Sequence, residues 1–290
     1  MVFIQQLING LQVGSIYAVI ALGYTMVYGI IKLINFAHGE IMMMGAYFAF
    51  MLALAGVPVW AVFLISMTLT ALLGMAVERI AYKPLRNSPR ISALITAIAM
   101  SYLLQNIALL IFGADPKVMP SIIPNKPINI GGLQVSNITL ITFLVSVLFM
   151  ILLTLFINKT KAGKAMRAVS EDTDAAMLMG INVDRTISIT FAIGSALGAL
   201  GGILYAVAYT QVLPTLGVLP GLKAFVAAVL GGIGIVPGAM LGGFILGFVE
   251  TLAKAYISSS WSDAIAFSIL IVVLSVKPTG ILGKNTREKV

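Results

Sequence analysis

Few side chains in this sequence could do chemistry, and they stand far apart. The polar break Lys32-Leu33-Ile34-Asn35-Phe36-Ala37-His38-Gly39-Glu40 carries the only histidine, two residues before a carboxylate. It lies between two apolar runs. Ionisable groups lodged in a membrane are costly and normally face a cavity or a partner. The plainer reading is a turn, with Glu40 stabilising the N-terminus of the next helix. Glu250 and Lys254 stand four apart, in the acid-first order that favours a helical pair. Lys254 is long enough to snorkel to an interface. Asp263, beside Trp261 and Ser262, reads as an N-cap and interfacial anchor.

None of these sets is a catalytic constellation. With no cysteine, disulfides, thiolate metal sites and cysteine nucleophiles are excluded. A single histidine excludes a histidine-rich metal site. The run Gly280-Ile281-Leu282-Gly283-Lys284-Asn285 has the wrong spacing for a phosphate loop, so the chain carries no evident nucleotide cradle. Neither G-x-S-x-G nor H-E-x-x-H occurs. The expectation is a protein that is not an enzyme and holds no cofactor of its own.

The elements that position these residues are membrane helices. Hydrophobic residues make up 60% of the 290 and charged residues 10%, against about 45–50% and about 25% in soluble domains. Too few charges remain to cover a water-facing surface, and transmembrane strands would alternate instead of running continuously apolar. The clearest span is 138–157, without charge, Gly or Pro; 91–112, 59–77 and 186–210 are also long enough to cross. The runs 41–57 and 261–276 are short, and 2–31 is longer than one crossing needs. The stretch 1–31 has no charge, so it lacks the basic region of a cleavable signal and reads as a retained span.

Charge placement sets an orientation. Basic residues gather at Arg79, Lys83, Arg86 and Arg90, then at Lys159, Lys161, Lys164, Arg167 and Arg185, then at Lys277, Lys284, Arg287 and Lys289. The positive-inside rule puts all three groups in the cytoplasm and the 113–137 loop outside. The net charge of +8 therefore speaks of a membrane lipid surface and not of nucleic acid. The N-terminus is expected outside and the C-terminus inside. By parity the stretch 221–260 must begin and end outside, yet it is too short for two full crossings. Its middle, Gly231-Gly232-Ile233-Gly234-Ile235-Val236-Pro237-Gly238, is a poor helix core. Two readings stay open: a re-entrant hairpin broken by Gly and Pro, surrounded by protein or a watery cavity, or two short tilted spans with an inside turn. The expected fold is an all-α polytopic bundle of about eight membrane segments in one domain over 1–290.

Small-residue stripes at Gly194, Gly198 and Gly202, and at Gly243 and Gly247, allow backbones to approach closely. The internal segment 158–185 is the largest soluble piece. Ser170 is expected as an N-cap, with Glu171 and Asp172 in the first turn and Gly180 as the C′ stop. Ala175, Ala176, Met177 and Met179 would give the short helix an adaptable apolar face. That face is either a solvated surface or a docking helix for a cytoplasmic partner.

In combination these residues resemble a known family. Leu33-Ile34-Asn35-Phe36-Ala37-His38-Gly39-Glu40-Ile41-Met42 looks like the signature after the first span of bacterial branched-chain amino-acid ABC permeases of the LivH type. Lys164-Ala165-Met166-Arg167-Ala168, Ala175-Ala176 and Met179-Gly180-Ile181-Asn182 resemble their coupling segment. The run 223–234, Pro237-Gly238-Ala239 and Pro278-Thr279-Gly280-Ile281-Leu282-Gly283 are similar to theirs too. The resemblance implies a permease subunit in the bacterial inner membrane. Its partners would be a LivM-like second permease, two ABC ATPase subunits that bind ATP and Mg, and a periplasmic substrate-binding protein for Leu, Ile or Val. It places ATPase coupling at 168–182, including Ser170, Glu171, Asp172, Ala175, Ala176, Met177, Met179 and Gly180. It brings Asn35, His38 and Glu40 near the translocation path, with Gly231, Gly232 and Gly234 of the broken stretch. Relatives of this subtype also move urea, short amides or other amino acids. The rival class is a stand-alone secondary transporter or channel for small amino acids or amides, because broken helices mark those folds as well.

Overall fold

A computed structural model describes residues 2–283 except Asn87 and Gly131. The helices are α1 (Val2–Ile31), α2 (His38–Leu54), α3 (Val59–Val77), α4 (Arg90–Phe112), α5 (Asn137–Lys159), α6 (Lys161–Glu171), α7 (Thr173–Leu178), α8 (Val183–Tyr209), α9 (Val218–Gly231), α10 (Val236–Tyr256) and α11 (Ser262–Val276). A π-turn, Glu78–Tyr82, and a 3-10 turn, Lys83–Leu85, carry α3 toward α4. Among the described residues six helices are long and apolar enough to cross a membrane: α1, α3, α4, α5, α8 and α10. The apolar helices α2, α9 and α11 are shorter.

The all-α expectation needs one amendment. The 113–137 stretch holds β1 (Lys117–Val118), β2 (Pro127–Ile130) and β3 (Leu133–Ser136). β2 and β3 form an antiparallel hairpin, and β1 pairs antiparallel with β4 (Gln211–Val212). Runs this short leave no sequence periodicity to read.

The long helices sort by burial. In α1 every residue from Gly14 to Val27 is buried, as expected of a helix that is apolar all round. It packs against α10, α8, α5 and α9. Outside this centre, α4 and α5 keep large apolar side chains exposed, among them Leu110, Ile111, Leu144 and Leu155. Such a belt has no place on a water-soluble monomer, and it fits a lipid environment.

The glycine stripes are contact seams. Gly243 and Gly247 press α10 onto Ala18 and Gly14 of α1, and a Cβ at Gly247 would fall on the Gly14 backbone. On α8, Gly194 meets Gly23, Gly198 meets the His38 ring, and Gly202 meets the Met42 carbonyl.

The ends of the bundle separate cleanly. Gln5 and the Gln134 backbone exchange hydrogen bonds at 2.8 and 3.0 Å, so the start of α1 sits beside β3. The β1–β4 pairing brings the exit of α8 to the 113–137 stretch. At the opposite end Lys83 pairs with Asp184 at 2.6 Å. Arg86 bridges Asp184 and the fully buried Glu78. The Arg167 guanidinium donates to the Ile157 carbonyl at 2.6 Å. Two of the three basic groups thus share one end. Of the third, Lys284, Arg287 and Lys289 lie outside the described residues.

The stretch 221–260 holds most of the 14-residue α9, a glycine break and the 21-residue α10. The break needs left-handed backbone at Gly232 (φ 110°) and Gly234 (φ 92°), which glycine adopts without steric cost. The chain after α11 closes the end of α9: Ile281 N–H donates to the Leu230 carbonyl at 2.9 Å, and Leu282 N–H to the Gly231 carbonyl at 3.0 Å.

Candidate functional site

The polar break folds into a tight buried turn. The Asn35 Oδ1 accepts from Ala37 N–H at 3.1 Å and from the Tyr82 hydroxyl at 2.7 Å. An Asn side chain that bonds its own backbone two residues on makes such a turn locally. His38 N–H donates to the Asn35 carbonyl at 3.1 Å and starts α2. The His38 ring is fully buried, 4.4 Å from the Tyr24 ring centroid, and lies between Gly23 and Gly198. Only small residues leave it room.

Glu40 sits in the first turn of α2 and is 2% exposed. Gly39 packs on Gly217 and Gly221, so the start of α9 meets the start of α2 there. A cavity of about 230 Å³ opens beside this junction, lined by Tyr24, Phe36, Glu40, Ser101, Tyr102 and Phe225 among others. The structure therefore gathers Asn35, His38 and Glu40 at one junction. Gly231, Gly232 and Gly234 lie at the other end of α9, against Gly238, Gly283 and Gly29. The lining from α4 left no signal in the sequence, because Ser101 and Tyr102 sit in an unbroken apolar run.

A second polar cluster ties four helices. Lys223 of α9 reaches Glu250 of α10 at 2.8 Å and Asp263 of α11 at 2.7 Å. Glu250 also takes Lys254 at 2.5 Å and the Tyr17 hydroxyl of α1 at 2.9 Å. The expected Glu250–Lys254 pair is present. The expected N-cap role of Asp263 is not: Trp261 occupies the cap position, and the Asp263 carboxylate goes to Lys223. Sequence reasoning missed Lys223, although a lone cation inside the apolar run 218–231 was the available signal.

The 158–185 segment forms two helices and not one. Thr160 caps α6, its Oγ1 accepting from Gly163 N–H at 2.9 Å. Ser170, expected as an N-cap, lies inside α6 and donates to the Arg167 carbonyl. Asp172 is extended (φ −151°) and caps α7, accepting from Asp174 and Ala175 N–H at 2.9 Å each. The Asp172 side chain reaches both free amides while Thr160 has already started the preceding helix, so Ser170 has no helix to begin. Gly180 takes the left-handed C′ position (φ 79°), and Asn182 caps α8.

Burial divides the expected coupling residues. Glu171, Asp172, Ala175, Met177, Met179 and Gly180 are exposed, whereas Ala176 is buried. Ala176 therefore supports the segment and presents nothing outward. Leu178, outside the expected set, is 89% exposed, beside Met179 at 82%. Three successive apolar side chains, Met177 to Met179, thus stand bare at the polar end. Among the described residues no group of His, Asp and Glu is placed to hold a metal ion.

A buried helical centre, a lipid-suited outer ring and six helices long and apolar enough to cross a membrane, among the described residues, define a multi-pass helical membrane protein. The same fold is seen in an inward-facing ABC transporter of the metal-chelate type, with TM-score 0.50 and 17% identity over 93% of this chain and 85% of that one. The chain belongs to the family described as branched-chain amino acid transport system / permease component, whose profile matches residues 6–274. It is 45% identical to the high-affinity branched-chain amino acid transport system permease protein LivH of Escherichia coli K12, over 99% of this chain and 98% of that one. Identity to the BraD permease of Pseudomonas aeruginosa PAO1 is also 45%, with the same coverage. The ribose import permease RbsC of Haemophilus influenzae is 26% identical over 93% of this chain and 84% of its own length.

Proposed function

We propose that this chain is one of the two membrane subunits of an ATP-driven importer for Leu, Ile and Val. The observation that carries the reading is the end-to-end 45% identity to LivH and BraD, which are named as permeases of that system. On this reading the whole chain is one permease domain, paired with a LivM-like subunit. Two ABC ATPases hold ATP and Mg, and a periplasmic protein delivers cargo. The basic end faces the cytoplasm and the β2–β3 hairpin faces outside, following the positive-inside rule. On this orientation the glycine break, which meets Gly29 near the end of α1 and Gly283 beside the third basic group, turns at the cytoplasmic end, so α9 and α10 read as two short spans with an inside turn.

Coupling runs through α7. Partner ATPases grip the bare tip Met177–Met179, and their closure moves it. The tip joins α8 through Gly180 and the Asn182 cap, and α8 touches His38 and Met42 through its glycine seam. Movement of α8 therefore shifts the junction around Asn35, His38 and Glu40, where cargo passes. Each ligand must favour one of two packed states for this to be driven. The test is uptake of radiolabelled leucine into vesicles carrying the full assembly. ATP-dependent accumulation is expected. Uptake by this chain alone under an ion gradient would overturn the reading in favour of a self-sufficient transporter.

A further inference from the structure

The cavity beside α2 holds a carboxylate that the fold leaves incomplete. Glu40 is 2% exposed, and its Oε2 has no hydrogen-bond partner among the described residues. Burying an unpaired carboxylate is costly. Two helix N-termini offset part of that cost, because Glu40 lies in the first turn of α2 and Gly217, the N-cap of α9, packs against its Oε2. That field does not supply the missing donor.

The lining says what the donor should be. Among the described residues no Lys or Arg lines the cavity, so an anion would meet a bare negative charge. Tyr24, Phe36, Tyr102 and Phe225 line the space, and aromatic rings can attract cations. Ile98 and Leu222 add aliphatic wall. At about 230 Å³ the cavity falls below the roughly 300–1,000 Å³ of pockets for drug-sized ligands, which suits a molecule of a few heavy atoms.

We infer that this cavity is a subsite for a primary ammonium group on a short aliphatic chain, with the Glu40 carboxylate as the acceptor. The inference deepens the importer reading and rests on it only for the identity of the cargo. It makes the ammonium the feature that the path inspects, and it leaves the aliphatic part to nonspecific contact with the aromatic walls.

The test separates the subsite from the importer. Equilibrium dialysis of the purified full-length chain uses labelled 3-methylbutylamine, which has the ammonium and no carboxylate, and labelled 4-methylpentanoate, which has the reverse. The amine should bind at least about tenfold more tightly than the acid, and excess leucine should displace it. Glu40→Gln should weaken amine binding by about tenfold or more while the protein stays monodisperse. Equal binding of both probes, amine that leucine does not displace, or amine binding untouched by Glu40→Gln overturns the subsite. The comparison of probes uses the wild-type chain, so if the variant fails to fold, the two probes and the leucine displacement still decide the matter. Failure of ATP-driven leucine uptake with the amine result intact would instead sink the importer reading.

Discussion

Lys223 of α9 meets Glu250 of α10 at 2.8 Å, and both side chains are almost wholly out of water. The pair fixes the 14-residue α9, too short to be held by length alone, against the full-length helix that follows it. Tyr17 and Asp263 extend the tie to α1 and α11.

Removing one side of this cluster should be expensive. Glu250→Leu strands Lys223 with only the half-exposed Asp263, and breaking a buried pair costs about 3–5 kcal/mol. Lys254→Ala removes a partner that is 43% exposed, and such exposed pairs contribute about 0–1 kcal/mol. Thermal unfolding of the purified protein in detergent should therefore show a large drop for the first variant and a small one for the second. Equal drops would contradict the burial argument.

The junction of α3 and α8 makes a similar comparison. Arg86 answers the fully buried Glu78, whose other carboxylate oxygen takes the Ser188 hydroxyl at 2.7 Å. Arg86→Ala should cost about 3 kcal/mol by leaving that carboxylate without its cation. Asp184→Ala touches a half-exposed group and should cost less than about 1 kcal/mol. The same melting measurement ranks the two.

Glycine positions should differ by cause. Gly247→Ala drives a Cβ into the Gly14 backbone, where nothing flexible can yield, so a loss of about 1–3 kcal/mol or more is expected from overpacking. Gly180→Ala meets open space, and its strain comes only from the left-handed backbone, costing roughly 1 kcal/mol. Yield of monodisperse protein on size-exclusion chromatography should fall sharply for the first and slightly for the second.

The bare tip of α7 gives a functional contrast. Leu178→Ser with Met179→Ser should leave membrane insertion intact and reduce ATP-driven uptake by about tenfold or more, since docking surfaces concentrate their energy in a few apolar anchors. Ala176→Arg is a different experiment, because that side chain is buried; it should lower the folded yield. Full uptake with both serines in place would remove α7 from the coupling route.

Orientation can be read chemically. The chain has no cysteine, so single introduced thiols need no background removal. Val118→Cys in β1 should react with a non-permeant reagent added to the periplasmic side, and Leu178→Cys should not. The reverse pattern would invert the topology.

What the sequence makes legible follows from where its signals are local. The apolar run 138–157 lies inside α5, and the run 59–77 coincides with α3, because length and composition alone decide a span. The Glu250–Lys254 pair is legible because helical spacing places it. Lys223 and Glu250 are 27 positions apart, and no local pattern joins them. Asp172 takes the cap expected at Ser170 because Thr160 begins a helix upstream, a competition between neighbours that a single motif does not register. In the candidate site, Asn35, His38 and Glu40 announce themselves as polar residues between apolar runs. The α4 and α9 residues that complete their cavity are ordinary until the bundle packs.

The hydrogen bonds from Ile281 and Leu282 to the end of α9 have a consequence for biosynthesis. The last carbonyls of that helix receive their donors from chain that the ribosome delivers only after α10 and α11. Until then the end of α9 lacks those two donors. A nascent polypeptide cut short before Ile281 would carry its spans and still display an open seam, so completion of translation is written into the closure of an earlier helix.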